Sequence, residues 1–298
     1  MQHDHWLRVA ANLKVDRARG PAPHKPLLLL VVAGLAEEGR LAELVLLLTG
    51  ELTFRFLAFW TVVARRRPQR PDIRLPFFHL HSDRCWIPLD AAGQATTERR
   101  RAVAAQLDPD LHGCLQVAEF RTEFCRVLIT QHFPDPGERA ALCDLAGLAV
   151  PSDDVAKADA ELYAETRERG REARFRLTVV PAYEYSCALT GYRCTTVGAG
   201  SIVDAAHIHR FRDSRNNDPR NGLALCKNAH WLFDQGLWSL ADDYRVLVAA
   251  SRFAEAGPDA HLLKRLEGQT IRLPPNPELW PASQYLSWHR QHVLGRPA

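Results

Sequence analysis

Between Asp204 and Gly236 the chain reads DAAHIHRFRDSRNNDPRNGLALCKNAHWLFDQG, and no other stretch limits its fold so tightly. An apolar run, SIVDAAHI (201–208), carries His207 near its end. A polar loop with Arg210, Arg212 and Arg215 follows, then a turn at Asn221-Gly222 inside PRNGLALC (219–226). KNAHWLFDQG (227–236) closes on a glycine. Short apolar runs bounded by turn residues predict strands, and apolar residues at helical spacing ended by glycine predict a helix of about two turns. The predicted order is strand, loop, strand, helix.

Folding does not require so many polar groups in one place, but phosphodiester hydrolysis does. It needs a base for the attacking water, for which neutral histidine is suited near pH 7, and a cation for the leaving oxygen. His207 would stand at a strand end. His230 and Asp234, four residues apart, would share one helix face and could grip a divalent metal. Asn221 could fasten the loop that carries His207. The guanidinium forks of Arg210, Arg212 and Arg215 match phosphate oxygens. Taken singly, each feature has a plainer reading: a surface histidine, a helical ion pair, a turn, a solvated loop. Their joint occurrence in this order points to a site.

The pattern His207, Asn221, His230, with CALTG (187–191), AAHI (205–208), DPRNGLALC (218–226) and LFDQGLWSL (232–240), resembles the HNH, or ββα-metal, endonucleases. PASQYLSWHRQHVLG (281–295) is similar to the tail of many such domains. The resemblance covers roughly 175–298. It implies that His207 is the general base, that Asn221 orients its loop, that His230 is a metal ligand and that Asp234 occupies a second ligand position. It implies Mg²⁺ or Mn²⁺ as cofactor and double-stranded DNA as partner. Many members carry an acidic or histidine ligand directly before the base, where this chain has Ala206. Asp204 is the nearest substitute, and it reaches the site only if the strand bends, because alternate side chains point to opposite faces. Cys187, Cys194 and Cys226 form no Cys-x-x-Cys pair, so a structural zinc is not expected.

The 298 residues favour two domains. Net charge is only +3, but arginines cluster in ARRRPQRP (64–71), ERRRAV (98–103) and RERGREARFR (167–176). Such runs suit a nucleic-acid partner and equally a solvated face. With no run of 18 apolar residues, no signal peptide and an odd number of cysteines, the expectation is a cytoplasmic protein without disulfides or membrane contact. A homodimer is allowed.

The fold class expected is α+β: an N-terminal mixed helical and β DNA-reading domain (1–150), a helical linker (151–174) and a C-terminal HNH domain (175–298). Helices are expected at 23–41, 52–67, 97–106 and 114–131, and two strands in DIRLPFFHLHSDRCWIPL (72–89) around a turn at Ser82-Asp83-Arg84. In the second domain, YSCALTGYRC (185–194) is read as extended.

PHKPLLLL and LPFFHLHSDRCWIPL resemble the DNA sulfur-binding domain fused to HNH nucleases in modification-dependent restriction enzymes. That implies an apolar wall for a phosphorothioate from Pro76, Phe77 and Phe78, with polar contacts from His24, Lys25 and His79. Sulfur is larger and less hydrated than oxygen, so an apolar wall favours it. An aromatic expected before the Pro-Phe step is Leu75 here. The plainer reading makes these aromatics core and His24 a helix cap. The function expected is cleavage of double-stranded DNA by a metal-dependent endonuclease directed by phosphorothioate. The alternatives are direction by another modification such as methylcytosine, or a catalytically silent DNA-binding protein on the same scaffold.

Overall fold

The computed structural model describes residues 2–18, 20–150, 160–257 and 263–295. The chain divides into two compact units, Met1–Arg174 with Thr196–Gly200, and Phe175–Thr195 with Ser201–Ala298. It is an α+β protein, with the strands in small sheets.

In the first unit, α1 (Gln2–Ala11), α2 (His24–Glu37), β1 (Val45–Leu47), α3 (Gly50–Val63), α4 (Arg74–His79), β2 (Trp86–Leu89), β3 (Ala104–Leu107), α5 (Pro109–Leu115), α6 (Ala118–His132) and α7 (Pro136–Leu145) follow in order. Helix α2 is buried on nearly every side, as the unbroken apolar run requires, and packs against α3, α4 and α6. Pro26 sits in its first turn, where a missing N–H costs no hydrogen bond. Thr49 caps α3 by accepting from the Leu52 N–H at 3.1 Å. The sheet is antiparallel in the order β1-β3-β2.

Three expected elements are corrected. The first of the two strands in 72–89 is helix α4, followed by a 3-10 turn over Leu80–Asp83 and a left-handed Arg84. Ile73, Phe77 and Leu80, all buried, recur at helical spacing, and Asp72 accepts from the Arg74 N–H at 3.0 Å to start the turn. The helix expected at 97–106 is absent; its end is the central strand β3, where pairing on both sides overrides the helical preference of alanine. The expected helix 114–131 is two, because Asp108 starts α5 one turn early and the chain breaks at Gln116-Val117.

Residues 151–159 of the expected linker lie outside the described residues. Helix α8 (Ala160–Ala182) contains the division between the units. After β4 (Thr195–Thr196) and β5 (Gly200–Ser201), each of which contains a division between the units, the second unit continues with β6 (Val203–His207), α9 (Phe211–Ser214), β7 (Gly222–Cys226), α10 (Lys227–Asp234), β8 (Trp238–Leu240), β9 (Val246–Val248) and α11 (Ser283–His292). The extended run expected at 185–194 is instead a set of turns: Tyr185 and Gly191 are left-handed, and the Gly191 N–H closes onto the Cys187 carbonyl at 2.8 Å. Strands β6 and β7 pair antiparallel with His207 opposite Gly222, and α10 follows β7 directly. Helix α10 ends because Gly236 adopts φ +67°, where a β-carbon would also lie 2.1 Å from the Val293 carbonyl oxygen. Among the described residues no helix is long and apolar enough to cross a membrane.

Candidate active site of the second unit and cavity of the first

His207 is the last residue of β6. Its ring lies flat against Phe175 of α8, with centroids 3.9 Å apart and planes at 7°, and Phe211 flanks it at 5.3 Å. Its Nε2 is 2.8 Å from the Asn217 amide oxygen. Burial lowers the His207 pKa below the ordinary imidazole value; the Asn217 bond opposes this, His230 adds to it and Asp234 opposes it. Burial therefore favours the neutral ring.

Gly222 faces His207 across the ladder because nothing larger fits. A β-carbon there would lie 2.5 Å from Val179 Cγ2 and 2.9 Å from Phe175 Cζ. The asparagine before it is completely buried (0 % exposed). Its amide oxygen accepts from the His209 N–H at 2.7 Å, and its amide nitrogen donates to the carbonyls of His209 at 3.0 Å and Asn216 at 3.1 Å. All of this amide's strong groups are used on the loop that follows His207.

On α10, His230 Nε2 lies 3.5 Å from Asp234 Oδ2, and both side chains remain accessible. With His207, Arg210 and Arg212 they line a cavity of about 480 Å³. Arg210 also reaches the Asp234 backbone carbonyl at 3.0 Å, while Arg215, left-handed at the end of α9, stacks over Phe211 at 5.4 Å. The structure thus brings His207, His230, Asp234, Arg210 and Arg212 together, places Asn221 behind them, and leaves Arg215 off the cavity wall.

Asp204, expected to reach the site only if the strand bends, does not line this cavity. It lies three residues before His207 on β6, and its carboxylate accepts from Arg176 Nε at 2.7 Å and stands 3.4 Å from Lys227 Nζ. Burial pushes this carboxyl upward, but Arg176, Lys227 and the Ala205 N–H outweigh it and hold it below the usual carboxylate range. A carboxylate so committed to cations is a poor metal ligand.

Among the described residues no three His, Cys, Asp or Glu side chains converge on one point. His230 and Asp234 supply one imidazole nitrogen and one carboxylate oxygen. A divalent metal held by such a pair would keep several positions for water and phosphate.

The first unit holds a cavity of about 860 Å³, lined by His24, Lys25, Pro76 and His79 together with Lys14, Arg70 and Leu75. Both aromatics expected on its wall are core instead. Phe77 packs against Trp86 at 5.7 Å and Phe78 against His81 at 4.9 Å, because α4 turns both inward. Lys25 reaches the cavity edge already neutralised: its Nζ donates to Asp83 Oδ2 at 2.5 Å and to Ser82 Oγ at 3.0 Å. His24 bonds the Arg70 carbonyl at 2.8 Å, and burial lowers its pKa despite that bond. Lys14 and Arg70, which sequence reasoning missed, add positive charge to the wall; a lone lysine and an arginine in basic runs gave no signal of it.

Residues 187–241 match the HNH endonuclease family. The matched HNH segment contains β6, β7 and α10 with every residue of the candidate site. Two solved structures are also similar to this chain. One is a modification-dependent TagI restriction endonuclease, 21 % identical, covering 42 % of this chain and 39 % of that one at a TM-score of 0.31. The other is the sulfur-binding domain of SprMcrA complexed with phosphorothioated DNA, 23 % identical, covering 51 % of this chain and 96 % of that one at a TM-score of 0.38. Comparison with curated proteins gives no match.

Proposed function

We propose that this protein is a metal-dependent endonuclease that cuts double-stranded DNA, directed to its target by a backbone modification read in the first unit. The observation that carries the nuclease reading is that His207, His230 and Asp234 line one cavity within the segment that matches the HNH family. His207, neutral and clamped by Phe175, takes the proton from the attacking water. Arg210 and Arg212 hold the phosphate oxygens of the strand being cut. His230 and Asp234 would hold the divalent metal, which when bound supplies charge stabilisation at the phosphate and the leaving oxygen. Asn221 keeps the loop after His207 from moving.

Plasmid cleavage across a series of Mg²⁺ and Mn²⁺ concentrations tests this. Asp234→Ala should raise the metal concentration for half activity on the order of tenfold or more, since even groups that only orient a metal ligand cost 10–100-fold when removed. Asp204→Ala should leave that concentration unchanged. The reverse pattern would move the metal to Asp204, and no cleavage by the unmodified chain under any metal would favour a silent DNA-binding scaffold.

The reading of phosphorothioate is supported by the mixed wall of the larger cavity, where Leu75 and Pro76 are apolar and Lys14 and Arg70 are cationic. Sulfur would gain from the first pair, and the charge of the linkage from the second. The measurement is the affinity ratio of phosphorothioate over ordinary duplex, at low and at moderate salt, using full-length His207→Ala protein so that no DNA is consumed. The ratio should exceed one and persist as salt weakens both affinities, because phosphate contacts carry the salt dependence. Pro76→Ala should lower it. A ratio of one at both salts removes the sulfur reading, and a preference for methylcytosine in the same assay would replace it.

A further inference from the structure

We propose that Asn217 is the positioning residue of the candidate base: its amide oxygen fixes His207 as the Nε2–H tautomer, so that Nδ1 carries the lone pair that accepts the proton. The proposal rests on the nuclease reading for its catalytic consequence, but not for the tautomer itself.

A carbonyl oxygen accepts and cannot donate, so the 2.8 Å contact between His207 Nε2 and Asn217 Oδ1 requires the proton to sit on Nε2. A neutral imidazole carries one ring proton, which leaves Nδ1 bare. Among the described residues Nδ1 has no hydrogen-bond partner, so its lone pair is available to a water in the cavity that His207 lines. Phe175, parallel at 3.9 Å, fixes the plane of the ring, and the Asn217 bond fixes its rotation within that plane.

Asn217 can do this only if its own backbone is held, and both neighbours are pinned. The Asn216 carbonyl accepts from the buried Asn221 amide at 3.1 Å, and the Asn216 side chain donates to the Tyr285 hydroxyl at 2.7 Å. The Asp218 N–H donates to Asn216 Oδ1 at 2.8 Å, and the Asp218 carbonyl accepts from the Asn221 N–H at 2.8 Å. Asn221 therefore acts on His207 through two routes, the backbone of His209 and the seat of Asn217. Were the Asn217 amide turned over, its NH₂ would donate to Nε2, the ring proton would move to Nδ1, and no lone pair would remain for the water.

The two arrangements are told apart by two-bond ¹H–¹⁵N correlation of the histidine rings in the metal-free full chain at neutral pH, with the His207 signals assigned by their loss in His207→Gln. The wild-type spectrum should show His207 as the Nε2–H tautomer alone. Asn217→Leu, which cannot accept, should give a mixture, and Asn217→Asp, which can, should restore the single tautomer. In plasmid cleavage Asn217→Leu should lower kcat by about 10- to 100-fold, by analogy with groups that orient metal-ligating imidazoles, with KM little changed. A wild-type Nδ1–H tautomer, which needs no variant to observe, overturns the proposal. So does an Asn217→Leu spectrum identical to wild type. If the tautomer responds as expected while no protein cleaves DNA, the nuclease reading falls and the hydrogen-bond assignment stands.

Discussion

His207→Ala is expected to lose DNA cleavage by on the order of 10²–10⁴, the contribution typical of a general base, while folding and DNA affinity stay near those of the unchanged chain. The ring sits at the end of β6 against Phe175, so removing it empties a half-buried edge and leaves the core of the second unit intact. The pH profile makes the same assignment independently. Burial lowers the His207 pKa below 6.5, so the base is competent at and above neutrality, and activity is lost as pH falls through that lowered value. The acid limb should therefore lie below the ordinary imidazole range, and it should vanish in the residual activity of His207→Ala. Wild-type rates in His207→Ala would end the catalytic assignment.

The second large effect concerns the buried ion pair of the first unit. The Lys25 and Asp83 side chains are 9 % and 3 % exposed, and Asp83 also accepts from the Lys14 N–H at 2.9 Å. Asp83→Ala would leave the ammonium buried without its counter-charge, a loss of about 3–5 kcal/mol in such pairs. Replacing both partners with apolar residues of similar volume, Lys25→Met with Asp83→Leu, should recover most of that loss, because no charge is then left to desolvate. Denaturant melts of the full chain read both changes. If Asp83→Ala costs no more than an exposed ion pair, under about 1 kcal/mol, the pair is solvated and its place at the cavity edge must be reconsidered.

What could be read from the sequence follows a physical division. The candidate site was legible because its parts are close in the chain: β6, the asparagine turn, β7 and α10 fall within one run, and local periodicity and turn chemistry locate each of them. The corrections come from distant partners. Asp204 could be placed only once Arg176, on another element, was found holding it. Strand β3 was hidden because an arginine- and alanine-rich segment suits a helix until two neighbouring strands claim it. Helix α4 was hidden for the opposite reason: its aromatic composition favours a strand, while the spacing of Ile73, Phe77 and Leu80 that makes it a helix is only two turns long. Asn217 had no local signature at all, since two asparagines in a polar loop look like any turn.

The crowding of Gly222 has a consequence for how such a protein can be reassembled in evolution. Phe175 and Val179 fill the space where a side chain at 222 would stand, and Phe175 also backs His207. The residues that brace His207 thus precede the matched HNH segment, which begins only at 187. On the proposed function, a recombination event that exchanged one first unit for another would keep His207 braced only if its junction fell upstream of Phe175. A junction placed at the family boundary would deliver His207, Asn221 and His230 to a new partner and leave His207 without its backing wall.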